Sequence, residues 1–600
     1  MPDSYSDQVI DWLVDEGYDT CFFLAGGNIM HLLNAARTRI RCIPVIHEVA
    51  AGIGTEYFNA ARSSESGKAF ALVTAGPGVT NIVTAMAGAY MESRELLVVA
   101  GQVKSTDLAG AELRQRGIQE VDACALAGPV TKATLQIDSP LPREEVMSVV
   151  RSASEGRHGP VLIDFCLDAQ ASAPIADSGR SESHGSERAT SADEALMSQI
   201  AVVAESVQRS KRPIVLLGGG VSRALAREVV PSMEALGLPV ATTWNALDRI
   251  DYASPVNFGR PDTWGMRWAN ILLQQADLIV AVGARLSLQQ TGFNWQSFAP
   301  LAEIVHVDID ESELAKLHPR KDTRIYADAG VFLRALLPML TSSEHWSAWR
   351  SLGRQVKTTL PLDDPGNVTG SGFLSPYVFV EALSDVLTSE DILIPCSSGG
   401  ASTVLMQAFR QKAGQTVLNN KALASMGYGL SGAIGATLAN PQRRVVLVEG
   451  DGGFAQNLQE LGTVKAQKLN LKVFIYENKG YASIRMTQRN YFGGAYVGCD
   501  EDTGVGFPDW ELLARSYGIP AVQLSPDRIF DDTRVTSLMD DPGSALFVVP
   551  LDPEQTYYPK ITSRIESSGT MSSNPLHLMT PELPPAIAHQ VMPYLTKGDA

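Results

Sequence analysis

The sequence predicts an α/β protein made of three consecutive doubly wound parallel-sheet domains. Three observations point there. Short, fully apolar runs alternate with helical periodicity along most of the 600 residues, as strands buried on both faces do when helices join them. Polar stretches cut this alternation into three blocks. Several apolar runs end in glycine-rich turns, at the strand ends where open α/β sheets take ligands.

The first block spans 1–170. Val9, Trp12 and Leu13 form an apolar stripe closed by Gly17, the pattern of an amphipathic helix. Strand-like runs follow at 21–24, ended by Gly26-Gly27, and at 43–46, 70–74, 96–100 and 160–165. Residues 171–192 are polar, Ser-rich and aperiodic, and read as an exposed linker. The second block, 193–345, carries strand signals at 214–217, running into Gly218-Gly219-Gly220, and at 278–282 and 304–307. A polar, Pro-containing stretch at about 355–372 opens the third block, 355–550, whose clearest strands are 392–394, 445–448 and 473–476. The Gly- and Ser-dense run at 422–439 reads as a helix packed in a large core. Residues 551–600 are rich in Pro, Ser and Thr, with a helical signal at 587–594, and read as a tail draped over the body.

Composition narrows the function. Lys and Arg number 49 against 66 Asp and Glu, a net charge of −17. That balance argues against a nucleic-acid partner or an anionic membrane surface, both of which need clustered positive charge. A hydrophobic content of 45% with 19% charged residues fits a folded globular chain. Six cysteines, with no Cys-x-x-Cys pair, are too few for a disulfide framework. The N-terminus has neither a basic nor an apolar leader segment, so a cytoplasmic location is expected.

One motif carries the most chemistry. Gly450-Asp451-Gly452 directly follows the strand 445–448, and Asn478 follows the strand 473–476, with twenty-five residues between Gly452 and Asn478. That length suits one helix and one strand, a crossover placing Asp451 and Asn478 side by side at the carboxyl edge of a parallel sheet. A carboxylate, an amide oxygen and a backbone carbonyl make a hard-oxygen set suited to Mg²⁺ with phosphate oxygens. The glycines let backbone approach a diphosphate. Alone, Gly-Asp-Gly is only a turn signal.

With Asn-Lys-Gly-Tyr after the second strand, the motif resembles that of the thiamine diphosphate (ThDP) enzymes. The resemblance implies that Asp451, Asn478 and the carbonyl of Gly480 hold Mg²⁺, and that Ser398, Gly399, Met426, Gly450, Gly452, Gly453, Tyr481 and Ala482 bind ThDP, with Met426 beneath the bent cofactor. It also asks for a glutamate from another domain at N1′ of the aminopyrimidine. Glu48, in Ile-His-Glu at a helix start, has that form; its bland reading is a carboxylate favoured by the helix dipole. Gly26, Gly76, Pro77 and Asn81 match the pyrimidine-binding domain. The order of pyrimidine-binding, central and diphosphate-binding domains, covering roughly 5–550, is similar to the acetolactate synthase (acetohydroxyacid synthase) group. Gly101-Gln102-Val103, Ile118-Gln119-Glu120, Pro129-Val130-Thr131-Lys132 and the segment from Gly159 to Asp164 match it too. By that resemblance Gln119 sits near the reacting carbon, and Lys132 occupies a position the group uses. ThDP bridges domains of different chains, which implies a homodimer or homotetramer with the active site at the dimer interface.

The implied activity is a ThDP- and Mg²⁺-dependent carboligase that decarboxylates pyruvate or a similar 2-keto acid and transfers the two-carbon unit to a second carbonyl. Departures from the group bear on that acceptor. Thr487 stands where acetolactate synthases carry a Trp, Ile118 replaces a Phe, and Glu477 replaces the first Asn of Asn-Asn. Smaller residues suggest a roomier acceptor site, so acyl transfer to a specialised ketone, such as a nucleotide-linked keto sugar, is an alternative. A non-ligating 2-keto acid decarboxylase, an oxidase and a non-catalytic binding protein are others; the absence of adjacent histidines favours ligation. Arg485 and Arg489 read equally as holders of a carboxylate or phosphate and as surface charges. The group binds FAD in its central domain, where Gly219, Thr243, Arg285, Asp308 and Asp328 are the matching candidates; other ThDP enzymes keep the fold without flavin, and both readings stand.

Overall fold

The apolar runs of the first block become a six-stranded parallel sheet: β1 (Tyr18–Phe23), β2 (Arg41–Pro44), β3 (Lys68–Val73), β4 (Leu96–Gln102), β5 (Ala133–Ile137) and β6 (Pro160–Cys166), in the order β2-β1-β3-β4-β6-β5. The computed structural model describes residues 3–63, 66–110, 113–176, 189–565 and 571–595. The second sheet holds β7 (Pro213–Leu217), β8 (Val240–Thr242), β9 (Leu278–Val282), β10 (Glu303–Asp308) and β11 (Thr323–Tyr326), ordered β11-β10-β9-β7-β8. After β12 (Ile392–Ile394) and the two-residue β13 (Thr416–Val417), the third sheet continues through β14 (Val445–Gly450), β15 (Leu471–Glu477), β16 (Ala521–Gln523) and β17 (Ala545–Pro550), with β12-β14-β15-β17-β16 as neighbours. Three parallel α/β sheets are thus present, as expected. β5, β11 and β16 were not among the apolar runs, because Ala-Thr-Leu-Gln-Ile, Thr-Arg-Ile-Tyr and Ala-Val-Gln each mix polar with apolar residues. Among the described residues no helix is long and apolar enough to cross a membrane.

The chain divides into two units. One comprises Met1–His184, Glu390–Ala401 and Leu418–Pro550. In it the first and third sheets share a core, where Phe22, Ile53 and Tyr57 meet Ile434, Leu447 and Ile475. The helix Glu48–Ala61 packs on the helix Tyr428–Ala439, every residue of which is buried through Leu438. Glycines permit the crossing: a Cβ on Gly435 would lie 2.0 Å from the Gly54 carbonyl oxygen, and one on Gly432 would lie 2.7 Å from the Tyr57 ring. The helix read over 422–439 thus begins only at Tyr428, after a turn over 422–427, and its packing has its reason in backbone-to-backbone contact. Beside the crossing, Glu56 accepts from Arg94 Nη1 (2.7 Å) and Tyr428 Oη (2.9 Å), and Arg94 Nη2 also donates to the Asn419 carbonyl at 2.6 Å.

The other unit comprises Gly185–Ser389, Ser402–Val417 and Leu551–Ala600. It extends further than periodicity suggested. The helix His345–Thr359 buries Trp346, Trp349, Gly353 and Val356 on one face, so the polar stretch read at 355–372 begins inside a helix whose other faces are polar. Of the linker read at 171–192, residues 177–188 lie outside the described residues; the flanking helices are Leu167–Ala171 and Ala189–Arg209. The tail packs within this unit. Ile561, Leu576, Met579 and Val591 share a core with Ile214, Trp268 and Trp349, and the helix is Pro585–Val591 rather than 587–594. His577 is buried beside Gln274, its Nδ1 3.3 Å from Nε2 of that glutamine. In the same unit the buried Arg260 donates to the carbonyls of Met406 (2.7 Å) and Phe409 (2.8 Å) and to Gln411 Oε1 (2.7 Å), fastening the 402–417 segment.

Candidate active site

β14 and β15 are parallel neighbours in the register Gly450↔Tyr476, which brings the two ends of the Gly-Asp-Gly/Asn spacing together. Asp451 opens the short helix Asp451–Phe454 and is 1% exposed. Its Oδ1 accepts from Gly452 N at 2.7 Å, and its Oδ2 from Asn478 N at 3.0 Å and Gly480 N at 3.3 Å. Burial pushes this carboxyl up to about 7 despite those three donors, and the nearby Glu477 adds to the rise. Asn478 is 7% exposed, and its Oδ1 is buried with no hydrogen-bond partner. Buried polar atoms are normally satisfied. An orphaned amide oxygen beside a buried carboxylate is a pair that a hard cation completes. The Gly480 carbonyl accepts from Ala482 N at 3.2 Å and keeps a second lone pair. Only one member of this set is charged, in keeping with no group of three His, Cys, Asp or Glu side chains fit for a metal among the described residues. The residues present fit Mg²⁺.

The glycines around the set divide by what surrounds them. Gly480 has φ +152°, and a Cβ there would lie 2.1 Å from the Cys499 carbonyl oxygen. A Cβ on Gly452 would lie 2.2 Å from the Tyr481 ring, which packs across that position, and one on Gly453 3.1 Å from Glu449 Oε1. Gly450 and Gly399 face open space, and Gly399, with φ +74°, starts the helix Gly399–Ala408 just after Ser398. The Ser397 hydroxyl bonds to the Ser425 carbonyl, joining this turn to the one that holds Met426. Met426 is partly exposed and lies 3.7 Å from Gln456 Nε2. Two helix N-termini, at Gly399 and Tyr428, therefore open near the end of β14, an arrangement that favours an anion. Tyr481 directly precedes Ala482, the first residue of the helix Ala482–Phe492. Glu477 lines a cavity of about 290 Å³ together with Asp451, Lys479 and Asp509, and burial raises its carboxyl too. The glutamate that departs from the Asn-Asn pattern thus shares a cavity with Asp451.

A second group gathers on the first sheet. Glu48 is the first residue of the helix Glu48–Ala61 and is 6% exposed, and Asn81 Nδ2 donates to its Oε2 at 3.0 Å. Asn81 stands on the helix Pro77–Glu92, capped by Gly76 at φ +63°. A Cβ on Gly76 would lie 2.5 Å from the Gln119 carbonyl oxygen, so the Gly-Pro turn and the Gln119 loop touch only because no side chain intervenes. Gly26 likewise abuts Thr74, where a Cβ would lie 2.4 Å from Thr74 Cβ. Sequence reasoning missed what holds the Gln119 loop. The Glu120 carboxylate accepts from Arg116 N and Gly117 N, each at 2.8 Å, and from Ala109 N, and these amides hold its carboxyl below the usual range. Gln102 Nε2 donates to the Val121 carbonyl at 2.9 Å and to Asp164 Oδ2 at 3.0 Å. The Ile-Gln-Glu triplet was visible in the sequence; its division of labour was not. Ile118 is 85% exposed.

Of the three residues expected at the substrate, Arg485 and Lys132 have their charged groups bound by backbone carbonyls, and Thr487 bonds back within its own helix. Arg485 is buried: its Nη2 donates to the Asn478 carbonyl at 2.6 Å, and its Nη1 to the Lys479 carbonyl at 3.3 Å while standing 3.7 Å from Asp500. It braces the turn 478–480, because a guanidinium matches converging carbonyls in its own turn. Lys132 Nζ donates to the carbonyls of Ser152 (2.5 Å) and Glu155 (2.6 Å), fastening the end of the helix Arg143–Ser152. Thr487 is exposed on the helix Ala482–Phe492, and its hydroxyl bonds back to the Ser483 carbonyl at 2.9 Å. Gly219, Thr243, Arg285 and Asp328 follow β7, β8, β9 and β11, and Asp308 ends β10, all at the carboxyl edge of the second sheet. Local roles account for several of them. Asp328 caps the helix Ala329–Leu336 through Gly330 N (2.8 Å) and Val331 N (3.1 Å). Asp308 accepts from Asp310 N at 3.0 Å, and the Arg285 carbonyl accepts from Lys316 Nζ. Gly218, beside Gly219, lies so close to Gly283 that a Cβ would fall 2.0 Å from its carbonyl oxygen.

Comparison with known proteins covers most of the chain. Three family profiles match: "Thiamine pyrophosphate enzyme, N-terminal TPP binding domain" over residues 3–126, the central domain of the same enzymes over 200–336, and their C-terminal TPP binding domain over 398–548. The acetolactate synthase isozyme 1 large subunit of Escherichia coli (strain K12) is 29% identical, over 92% of this chain and 95% of that protein. A probable acetolactate synthase large subunit of Methanocaldococcus jannaschii is 31% identical over 92% of both. The chloroplastic acetolactate synthase 2 of Nicotiana tabacum is 28% identical, over 94% of this chain and 84% of that protein.

Proposed function

Since the chain belongs to the thiamine diphosphate enzymes, in the family of the acetolactate synthase large subunits, we propose that it is a carboligase. It takes pyruvate or a similar 2-keto acid as donor and a second carbonyl compound as acceptor, and releases CO₂ in forming the new carbon–carbon bond. Bound ThDP supplies the electron sink that decarboxylation needs. Asp451, Asn478 Oδ1 and the Gly480 carbonyl would hold Mg²⁺ to neutralise the diphosphate, and Gly450 and Gly399 leave room for it. Glu48, held by Asn81, shares a proton with N1′ of the aminopyrimidine. Gln119 orients the reacting carbonyl, Met426 and Tyr481 shape the cofactor's seat, and a dry pocket delays stray protonation. The observation that carries this reading is the buried, partnerless Asn478 Oδ1 beside the buried Asp451.

The working form is a homodimer or a tetramer of dimeric sites in the cytoplasm, each site taking Glu48 from one chain and Asp451 from the other. The exposed Thr487 favours one second reading, an acceptor bulkier than a 2-keto acid, such as a keto sugar. The test is mass spectrometry of products after incubation with Mg²⁺, ThDP and pyruvate, preceded by an absorbance scan for the flavin that the acetolactate synthase resemblance implies. Acetolactate is the expected product. Pyruvate consumed only when a keto sugar is added would select the second reading, and pyruvate left intact in the presence of bound cofactor and every acceptor would sink the carboligase.

A further inference from the structure

We infer that Glu460 is the residue that positions Glu48, acting from the third domain on the peptide that leads into the catalytic helix; this rests on the role just proposed for Glu48. Glu48 is the first residue of its helix, so its carboxylate goes where the chain enters that helix. The two amides just upstream, Ile46 N–H and His47 N–H, precede the helix and have no carbonyl of its ladder to bond. Both donate to one carboxylate 413 and 414 residues away: His47 N to Glu460 Oε1 at 3.0 Å, and Ile46 N to Oε1 at 3.1 Å and Oε2 at 3.3 Å. The Thr463 hydroxyl donates to Oε2 at 2.6 Å, so the acceptor is itself held. Glu460 is 0% exposed and ends the turn Leu458–Glu460, a few residues beyond the helix that starts at Asp451.

A second observation marks the same seat. A Cβ on Gly462 would lie 2.8 Å from Ile46 Cδ1, so the glycine clears space for the side chain whose amide Glu460 binds. A carboxylate bound to backbone amides makes hydrogen bonds roughly twice as strong as neutral ones. Glutamine weakens the clamp, because the oxygen that accepts both amides is then neutral and an NH₂ in place of Oε2 confronts the Ile46 amide and the Thr463 hydroxyl, both of which donate there. Glu460 touches neither cofactor nor substrate in this reading. It acts through the 46–47 peptide, and the distance from Glu48 to N1′ is what it sets.

The test uses the full-length protein and two readouts, on Glu460→Gln and on Thr463→Val, which only loosens the clamp. In the cofactor-free protein, hydrogen exchange at the Ile46 and His47 amides should be slow in the wild type, fast in Glu460→Gln and intermediate in Thr463→Val. In the Mg²⁺–ThDP-loaded protein, exchange of the ThDP C2 proton should slow on the order of tenfold to a hundredfold in Glu460→Gln, the scale of a small misplacement of a catalytic group. It should slow less in Thr463→Val, with kcat falling while cofactor affinity and the KM for pyruvate stay near the wild type. Amides that open while C2 exchange keeps its wild-type rate would overturn the inference, and so would a loss confined to cofactor affinity. Should Glu460→Gln fail to fold, the graded effect of Thr463→Val decides alone. A wild type that binds Mg²⁺–ThDP without accelerating C2 exchange would instead refute the function proposed for Glu48, leaving the amide protection to be read on its own.

Discussion

Arg485 shows how one side chain changes role once its surroundings are known. In the sequence it is a cation four residues beyond Tyr481, suited to a substrate carboxylate or phosphate. In the fold its guanidinium bonds the carbonyls of Asn478 and Lys479 and faces Asp500, so it rigidifies the turn that aims Asn478 Oδ1. Residues that orient metal ligands typically change affinity or activity by about 10- to 100-fold when lost. Arg485→Met should therefore weaken Mg²⁺ binding by about that factor, measured by titrating Mg²⁺ against ThDP binding, with little change in the KM for pyruvate once metal is saturating. A rise in that KM with unchanged Mg²⁺ affinity would restore the substrate role.

Among the elements, the helix pair Glu48–Ala61 and Tyr428–Ala439 does the most to place the site, because one begins at Glu48 and the other just after Met426. Both are apolar nearly all round, so each is buried by the other and by its own sheet. Their closeness depends on Gly435, where any side chain would strike the Gly54 backbone. Gly435→Val should cost about 3 kcal/mol or more, the upper range of overpacking, read as a lowered urea midpoint. Gly450→Ala, at a position facing open space, should leave that midpoint unchanged while weakening diphosphate binding.

For the molecule as a whole, the buried ion pair between Arg94 and Glu56 sits in the first domain and meets the third, within one unit, through the Asn419 carbonyl on Arg94 and the Tyr428 hydroxyl on Glu56. Burial raises the Glu56 carboxyl, and the Arg94 guanidinium and Tyr428 hydroxyl oppose the rise. Arg94→Met removes the largest opposing influence and should cost about 3–5 kcal/mol near neutral pH, the usual penalty for a stranded buried charge. The sign with pH follows. A carboxyl raised in the folded state binds its proton more tightly there than in the unfolded chain, so the variant's stability falls as pH rises through the folded value and recovers below it. Urea midpoints of wild type and variant should therefore draw together as pH is lowered from neutral toward the free carboxyl value; a gap that stays constant would mean lost packing rather than lost charge pairing.

The sequence by itself determined the three-block α/β order, the strand ends and the Asp451–Asn478 pairing, because strand and helix periods and a crossover length are local properties of the chain. It left unread the polar helix His345–Thr359 and strands such as β11, whose apolar faces are defined only by what they pack on. Tertiary structure alone decided that Arg485 and Lys132 bind carbonyls, that Glu120 fastens the Gln119 loop, and that Glu460 holds the peptide ahead of Glu48. Each of those is a charged group satisfied by backbone that folding brings to it, and a backbone carbonyl or amide leaves no signature in the sequence.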